Sequence, residues 1–123
     1  MDTATLVDEQ IEEGKGFIDH LRQSGIDVAA ALWVLTSEDQ LWFFYIASSE
    51  VETSGLAIAY RKVYAELANC PIRWILRSDI KLIGQTNPIA VDAIRYRSKL
   101  ATRYHGRTLG NLIVEEAYIY PKT

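Results

Sequence analysis

Between Asp27 and Ser49 the chain reads DVAAALWVLTSEDQLWFFYIASS, two apolar runs around a polar break at Ser37-Glu38-Asp39-Gln40. Both runs are strand length and rich in β-branched and aromatic residues. The pattern predicts an antiparallel hairpin, Val28 to Thr36 against Gln40 to Ala47. Alternation puts Trp33 and Leu35 on one face of the first strand and Leu32 and Val34 on the other. In the second strand Trp42, Phe44 and Ile46 oppose Leu41, Phe43 and Tyr45. A sheet wetted on one side alternates apolar with polar residues. This hairpin does not, so both of its faces are expected to be covered, by helices, by a second copy of the chain or by a ligand.

The flanking sequence supplies three helices. From Thr3 to Ser24, Val7, Ile11, Gly14, Ile18 and Leu21 recur at helical spacing, widened by Phe17. Asp2 or Thr3 suits the N-cap, and Gly25 suits the stop. Gly14, on the apolar stripe, suits close packing against the sheet or a break in the helix. Ser48 to Thr53 reads as a connection. Ser54 then caps a second helix from Gly55 to Ala68, ended by Asn69-Cys70-Pro71. Asn87-Pro88 opens a third, a capping side chain before proline at the first helical position.

Between the second and third helices, Ile80 to Gly84 is a short strand, and Ile72 to Leu76 is a strand or a packed loop. A second hairpin closes the chain: Ala101 to His105, a turn over Arg107 to Asn111, then Leu112 to Tyr120. In that last strand Leu112, Val114, Tyr118 and Tyr120 are expected on one face, and Ile113, Ala117 and Ile119 on the other. The whole is one α+β domain over residues 1–123. It is a mostly antiparallel sheet of about five strands, two hairpins plus one short strand, packed with three helices. The pattern of a helix, an LW…LW hairpin and a C-terminal EEAYIYP strand, here Glu115 to Pro121, resembles short uncharacterised bacterial proteins. That resemblance implies no particular activity.

Composition limits what such a domain does. The 123 residues are 49% hydrophobic and 24% charged, values of an ordinary globular chain. No apolar run approaches the roughly 20 residues of a membrane span. The acidic N-terminus lacks an apolar signal segment, and the single Cys70 has no internal disulfide partner. These features predict a soluble cytoplasmic protein without membrane association. The net charge of −3 conceals an asymmetry: residues 1–52 carry eleven acids and two bases, residues 53–123 five acids and eleven bases.

Motifs for chemistry are sparse. The seven glycines form no phosphate loop or dinucleotide fingerprint. Two histidines and one cysteine make neither a zinc signature nor a compelling Cys–His nucleophile, so no metal, cofactor or catalytic residue is assigned. The densest signal is basic. Arg95, Arg97, Lys99, Arg103 and Arg107 fall within thirteen residues, interleaved with Tyr96, Tyr104 and His105 and free of acids. Cations among aromatics are the chemistry of polyanion contact. The competing account is a solvated basic face that neutralises the acidic first helix. Glu115 and Glu116, consecutive on a strand, point to opposite faces. One therefore interrupts an apolar face and calls for Arg103, His105 or Arg107 as partner.

Three functions follow in order. The first is a non-enzymatic protein–protein interaction module, self-associating as a homodimer. The second is a binder of nucleic acid or a phosphorylated ligand through Arg95, Arg97, Arg103, His105 and Arg107, with Glu116 nearby; the acidic overall charge disfavours it. The third is a small enzyme pairing Glu115 or Glu116 with His105.

Overall fold

The computed structural model describes residues 6, 8–97 and 101–121, apart from the side chains of Tyr104 and Arg107. The expected caps Asp2 and Thr3, with Lys99 and Leu100, lie outside the described residues. The fold is α+β, a mostly antiparallel sheet with helices on both faces. In chain order the elements are α1 (Asp8–Gln23), β1 (Ala30–Thr36), β2 (Trp42–Ala47), α2 (Glu50–Ser54), α3 (Leu56–Ala68), β3 (Ile80–Ile83), α4 (Pro88–Tyr96), β4 (Thr102–Leu109) and β5 (Leu112–Ile119). The strands lie in the order β3-β2-β1-β5-β4.

The predicted hairpin forms, with Trp33 opposite Phe44 and their rings stacked at 4.7 Å. Its first strand becomes the centre of the sheet, and all seven of its residues are buried. One face of β1 and β2 carries Trp33, Leu35, Phe44 and Ile46, against which Phe17 and Leu21 of α1 and Ala59 and Val63 of α3 pack. The other face carries Leu32 and Val34, joined by Val114, Ala117 and Ile119 of β5 and covered by Ile89, Ala90 and Ala93 of α4. Helices of the same chain therefore cover β1 on both sides.

Strand β3 runs parallel to β2, with Phe44 opposite Ile80, so one pair of the sheet is not antiparallel. Parallel neighbours need a long crossover, and α2 and α3 provide it. The segment expected to be a plain connection folds as α2, because the Asp27 carboxylate receives the Ser49 amide at 3.2 Å and the Ser49 hydroxyl. That fixes the chain for a helical turn. Ser54 belongs to this turn and does not cap α3, whose N-cap is Gly55 at φ 88°. The chain thus has four α-helices among its described residues, one more than expected. Among the described residues, 72–76 pair with no strand. The cap before α4 is the one expected, Asn87 Oδ1 accepting the Ile89 amide at 2.9 Å behind Pro88.

The C-terminal hairpin departs most from simple alternation. Leu35 pairs with Glu116, but Thr36 pairs with Val114, which leaves Glu115 as an extra residue in β5. Such a bulge reverses the side-chain phase. Leu112 and Val114 therefore join Ala117 and Ile119 on the α4 side, while Tyr118 and Tyr120 face α1. This corrects the expected grouping of Val114 with the tyrosines. Gly106, opposite the bulge, takes φ 59°. Strand β4 continues to Leu109, and the turn shrinks to Gly110 and Asn111. The Gly110 amide donates to Asp92 Oδ2 at 2.7 Å, and a Cβ there would meet the Pro88 and Ile89 backbone at 2.7–2.8 Å. Close approach of this turn to α4 is why the residue is glycine.

Candidate functional site

Coverage by α4 is incomplete because that helix has only nine residues. Its apolar face reaches β1 and β5 and stops short of the hairpin turn. Phe43 and Tyr45, which share the α4-side face of β2, are left half-buried. With Lys81 of β3 and Leu112 of β5 they line an open groove of about 510 Å³, walled by Glu38 and Asp39 of the turn. The Lys81 ammonium lies 4.9 Å from the Phe43 ring centre, a cation–π contact across the floor. Ile113, also in the lining, is 65% exposed. The Ser37 amide to the Ile113 carbonyl, 3.4 Å, ties the two walls together. Partial burial, followed by the charges of Tyr60 and Asp39, pushes the Tyr45 hydroxyl up, so it stays a neutral donor in ordinary conditions. On the opposite face, the buried Trp42 Nε1 has no hydrogen-bond partner among the described residues.

The basic run does not assemble into one surface. Arg95, on α4, lies 3.8 Å from Asp92 one turn earlier. Arg97, just past the helix, turns inward and donates to the Ala29 carbonyl. Arg103 of β4 spreads over the Tyr118 ring at 5.3 Å and pairs with Glu116 at 3.6 Å, while His105 faces Glu116 across the ladder. The backbone of Arg107 pairs with Val114, and its side chain lies outside the described set. Arg103, His105 and Glu116 thus come together as a cross-strand cluster, whereas Arg95 and Arg97 serve α4 and β1. Glu115, lifted out by the bulge, is exposed and accepts from Gln40 Nε2 at 2.8 Å.

Cys70 and His20 border one shallow surface depression, but they are not a nucleophile and its base. His20 Nε2 is 2.8 Å from Glu66, which also accepts from the Ser24 hydroxyl at 2.9 Å. Desolvation first, and the Glu66 charge second, push the Cys70 thiol up, which disfavours the reactive thiolate. No group of three or more metal-ligating side chains occurs among the described residues, and none of their helices is long and apolar enough to cross a membrane.

The groove residue that sequence reasoning missed is Lys81. Its signal was the single polar position inside the Ile80–Ile83 strand, a lysine on the face that Phe43 and Tyr45 share. Comparison with family models, curated proteins and solved structures finds no match for the chain. What the fold and the groove define is a class, a small α+β domain with an aromatic-floored, mixed-charge surface at one end of its sheet.

Proposed function

We propose that the protein is a homodimeric interaction module, without catalytic chemistry of its own, that docks through the groove at the hairpin end of the sheet. The observation that carries this reading is the pairing of an aromatic floor with both signs of charge in one patch. A two-fold interface brings the same patch against itself, so the patch must be self-complementary. Lys81 and the acids Glu38 and Asp39 satisfy that condition, because a two-fold axis through Phe43 and Tyr45 sets the lysine of one copy against the acids of the other. Within one chain no ion pair of 4.0 Å or less joins them, so these charges remain available. Aromatic and aliphatic side chains left half-exposed are the usual anchors of such interfaces.

The polyanion reading is less well supported. Arg95 and Arg103 already have carboxylate partners, and Arg97 is spent in part on a backbone carbonyl. The enzyme reading needs Glu116 and His105 in a cleft, and they lie on a strand pair at the sheet edge with Arg103 as the partner of the acid.

Light scattering at tens of micromolar should give twice the 13.9 kDa chain mass. Lys81→Glu alone should weaken the dimer at least tenfold, about 1.4 kcal/mol, since like charges then face each other. Combining Lys81→Glu with Asp39→Lys should restore most of it. A monomer at all accessible concentrations overturns the proposal. So does a dimer indifferent to both single and double exchange.

A further inference from the structure

A second concavity lies on the other face of the molecule, between α1 and the end of the sheet where β5 leaves β1. Its volume is about 170 Å³. Ile11, Ile18, Ala30, Ala31 and the ring of Tyr120 give it an apolar interior. Three cations border it: Lys15 and Arg22 from α1, and Arg97 from beyond α4. Two acids, Glu12 and Asp19, also border it, so among the described residues the lining carries one net positive charge.

The cations are not consumed by these acids. No ion pair of 4.0 Å or less joins Lys15, Arg22 or Arg97 to either of them. Among the described residues Arg22 donates from Nη2 to the Val28 carbonyl at 3.0 Å, and Arg97 from Nη1 to the Ala29 carbonyl. A guanidinium has five donors in a planar fork. Each of these two is held in place by one bond to the backbone at the start of β1 and keeps further N–H groups at the cleft. Both are half-buried, where a fixed fork with spare donors favours a carboxylate oxygen pair over water.

We propose that this cleft binds a small organic monocarboxylate, with its carboxylate on Arg22 and Arg97 and its apolar body against Ile18, Ala31 and Tyr120. Size and charge set the class. A dry cavity of about 150 Å³ accommodates benzene, so this volume accepts an aromatic or short-chain acid of benzoate size. The single net positive charge is matched by a monoanion. The apolar interior selects an acid with a body and discriminates against a free inorganic anion. The site is separate from the docking groove, and its test does not depend on dimer formation.

Benzoate titrated into the full chain, followed by amide and arginine side-chain NMR, should give saturable shifts confined to Ala30, Ala31, Arg22 and Arg97. Benzamide, the neutral isostere, and inorganic phosphate should each bind at least tenfold more weakly. Arg97→Gln should weaken benzoate at least tenfold. Lys15→Glu, at an exposed position with no ion pair of 4.0 Å or less among the described residues, should weaken it several-fold with the unfolding midpoint unchanged, which guards against misreading a folding defect. Non-saturating shifts overturn the proposal, as does benzamide binding as tightly as benzoate, or benzoate binding unaffected by Lys15→Glu and Arg97→Gln.

Discussion

Gly14→Ala should destabilise the protein by about 1–5 kcal/mol, the clash outweighing the roughly 1 kcal/mol by which alanine is the better helix former. Helix α1 crosses the sheet at Gly14, directly above the Tyr120 hydroxyl. That hydroxyl donates to the Ile11 carbonyl at 2.7 Å and accepts from Trp33 Nε1 at 3.0 Å. A Cβ on residue 14 would collide with the hydroxyl and would stand 3.1 Å from Tyr120 Cζ and 3.2 Å from Trp33 Nε1. Trp33 is 0% exposed and Tyr120 7%, and moving the hydroxyl aside to admit the methyl would break both of its hydrogen bonds. Overpacking of a tight core costs about 1–3 kcal/mol, and breaking a buried hydrogen bond without replacement costs about 1–3 kcal/mol more. Tyr120→Phe alone should cost about 2 kcal/mol by orphaning the indole N–H. In the double variant the missing hydroxyl frees space for the new methyl, so the two losses should fall well short of adding. Urea midpoints of the wild type, the two single variants and the double variant measure this. Strict additivity, or a Gly14→Ala midpoint equal to wild type, would show that α1 does not rest on Tyr120.

Stability should also fall steeply as the pH rises above about 10. Burial, above all other causes, raises the Tyr120 hydroxyl well beyond its ordinary value of 10.0, with Tyr118 and Glu12 adding to it and the Trp33 hydrogen bond opposing. Tyr118 and Tyr45 are shifted in the same direction, again mainly by burial. A phenol in the unfolded chain releases its proton near pH 10, while these three in the folded chain keep theirs. Above that pH the unfolded state therefore binds fewer protons, and alkali favours it. The contribution is fully present below the ordinary tyrosine range and is lost as pH rises towards the folded values. Thermal midpoints between pH 8 and 11, read beside tyrosinate absorbance, should fall together with ionisation. Tyr120→Phe should lower the midpoint at neutral pH and flatten the alkaline limb. A limb of unchanged slope in that variant would sink the assignment.

Much of the architecture was legible in the residues because local and global signals agreed there. The stripe of α1, its stop at Gly25, the Asn87-Pro88 cap and the Trp33–Phe44 hairpin all follow from spacing or cap chemistry, which act within a few residues. The departures share one cause, contacts between residues distant in sequence. Asp27 organises α2 from more than twenty residues away. The bulge at Glu115 reverses the C-terminal strand because β5 must satisfy both the α1 and the α4 layers. Lys81 becomes a groove residue only because β3 lies parallel beside β2. Of the candidate site, Arg103, His105 and Glu116 were correctly placed near one another by cross-strand reasoning. Arg95 and Arg97 diverged from them because a helix end aims its side chains by its own axis.

Taken alone, the stretch from Asp27 to Ser49 determined that a two-sided apolar hairpin sits at the heart of this protein, since no other arrangement keeps both of its faces out of water. Which part of that hairpin stays uncovered was decided by tertiary structure. β1 lies centrally and is sealed by helices on both sides, whereas nine residues of α4 are too few to reach across β2. Helix length and strand order are global outcomes, and together they leave Phe43 and Tyr45, beside Lys81, as the open surface.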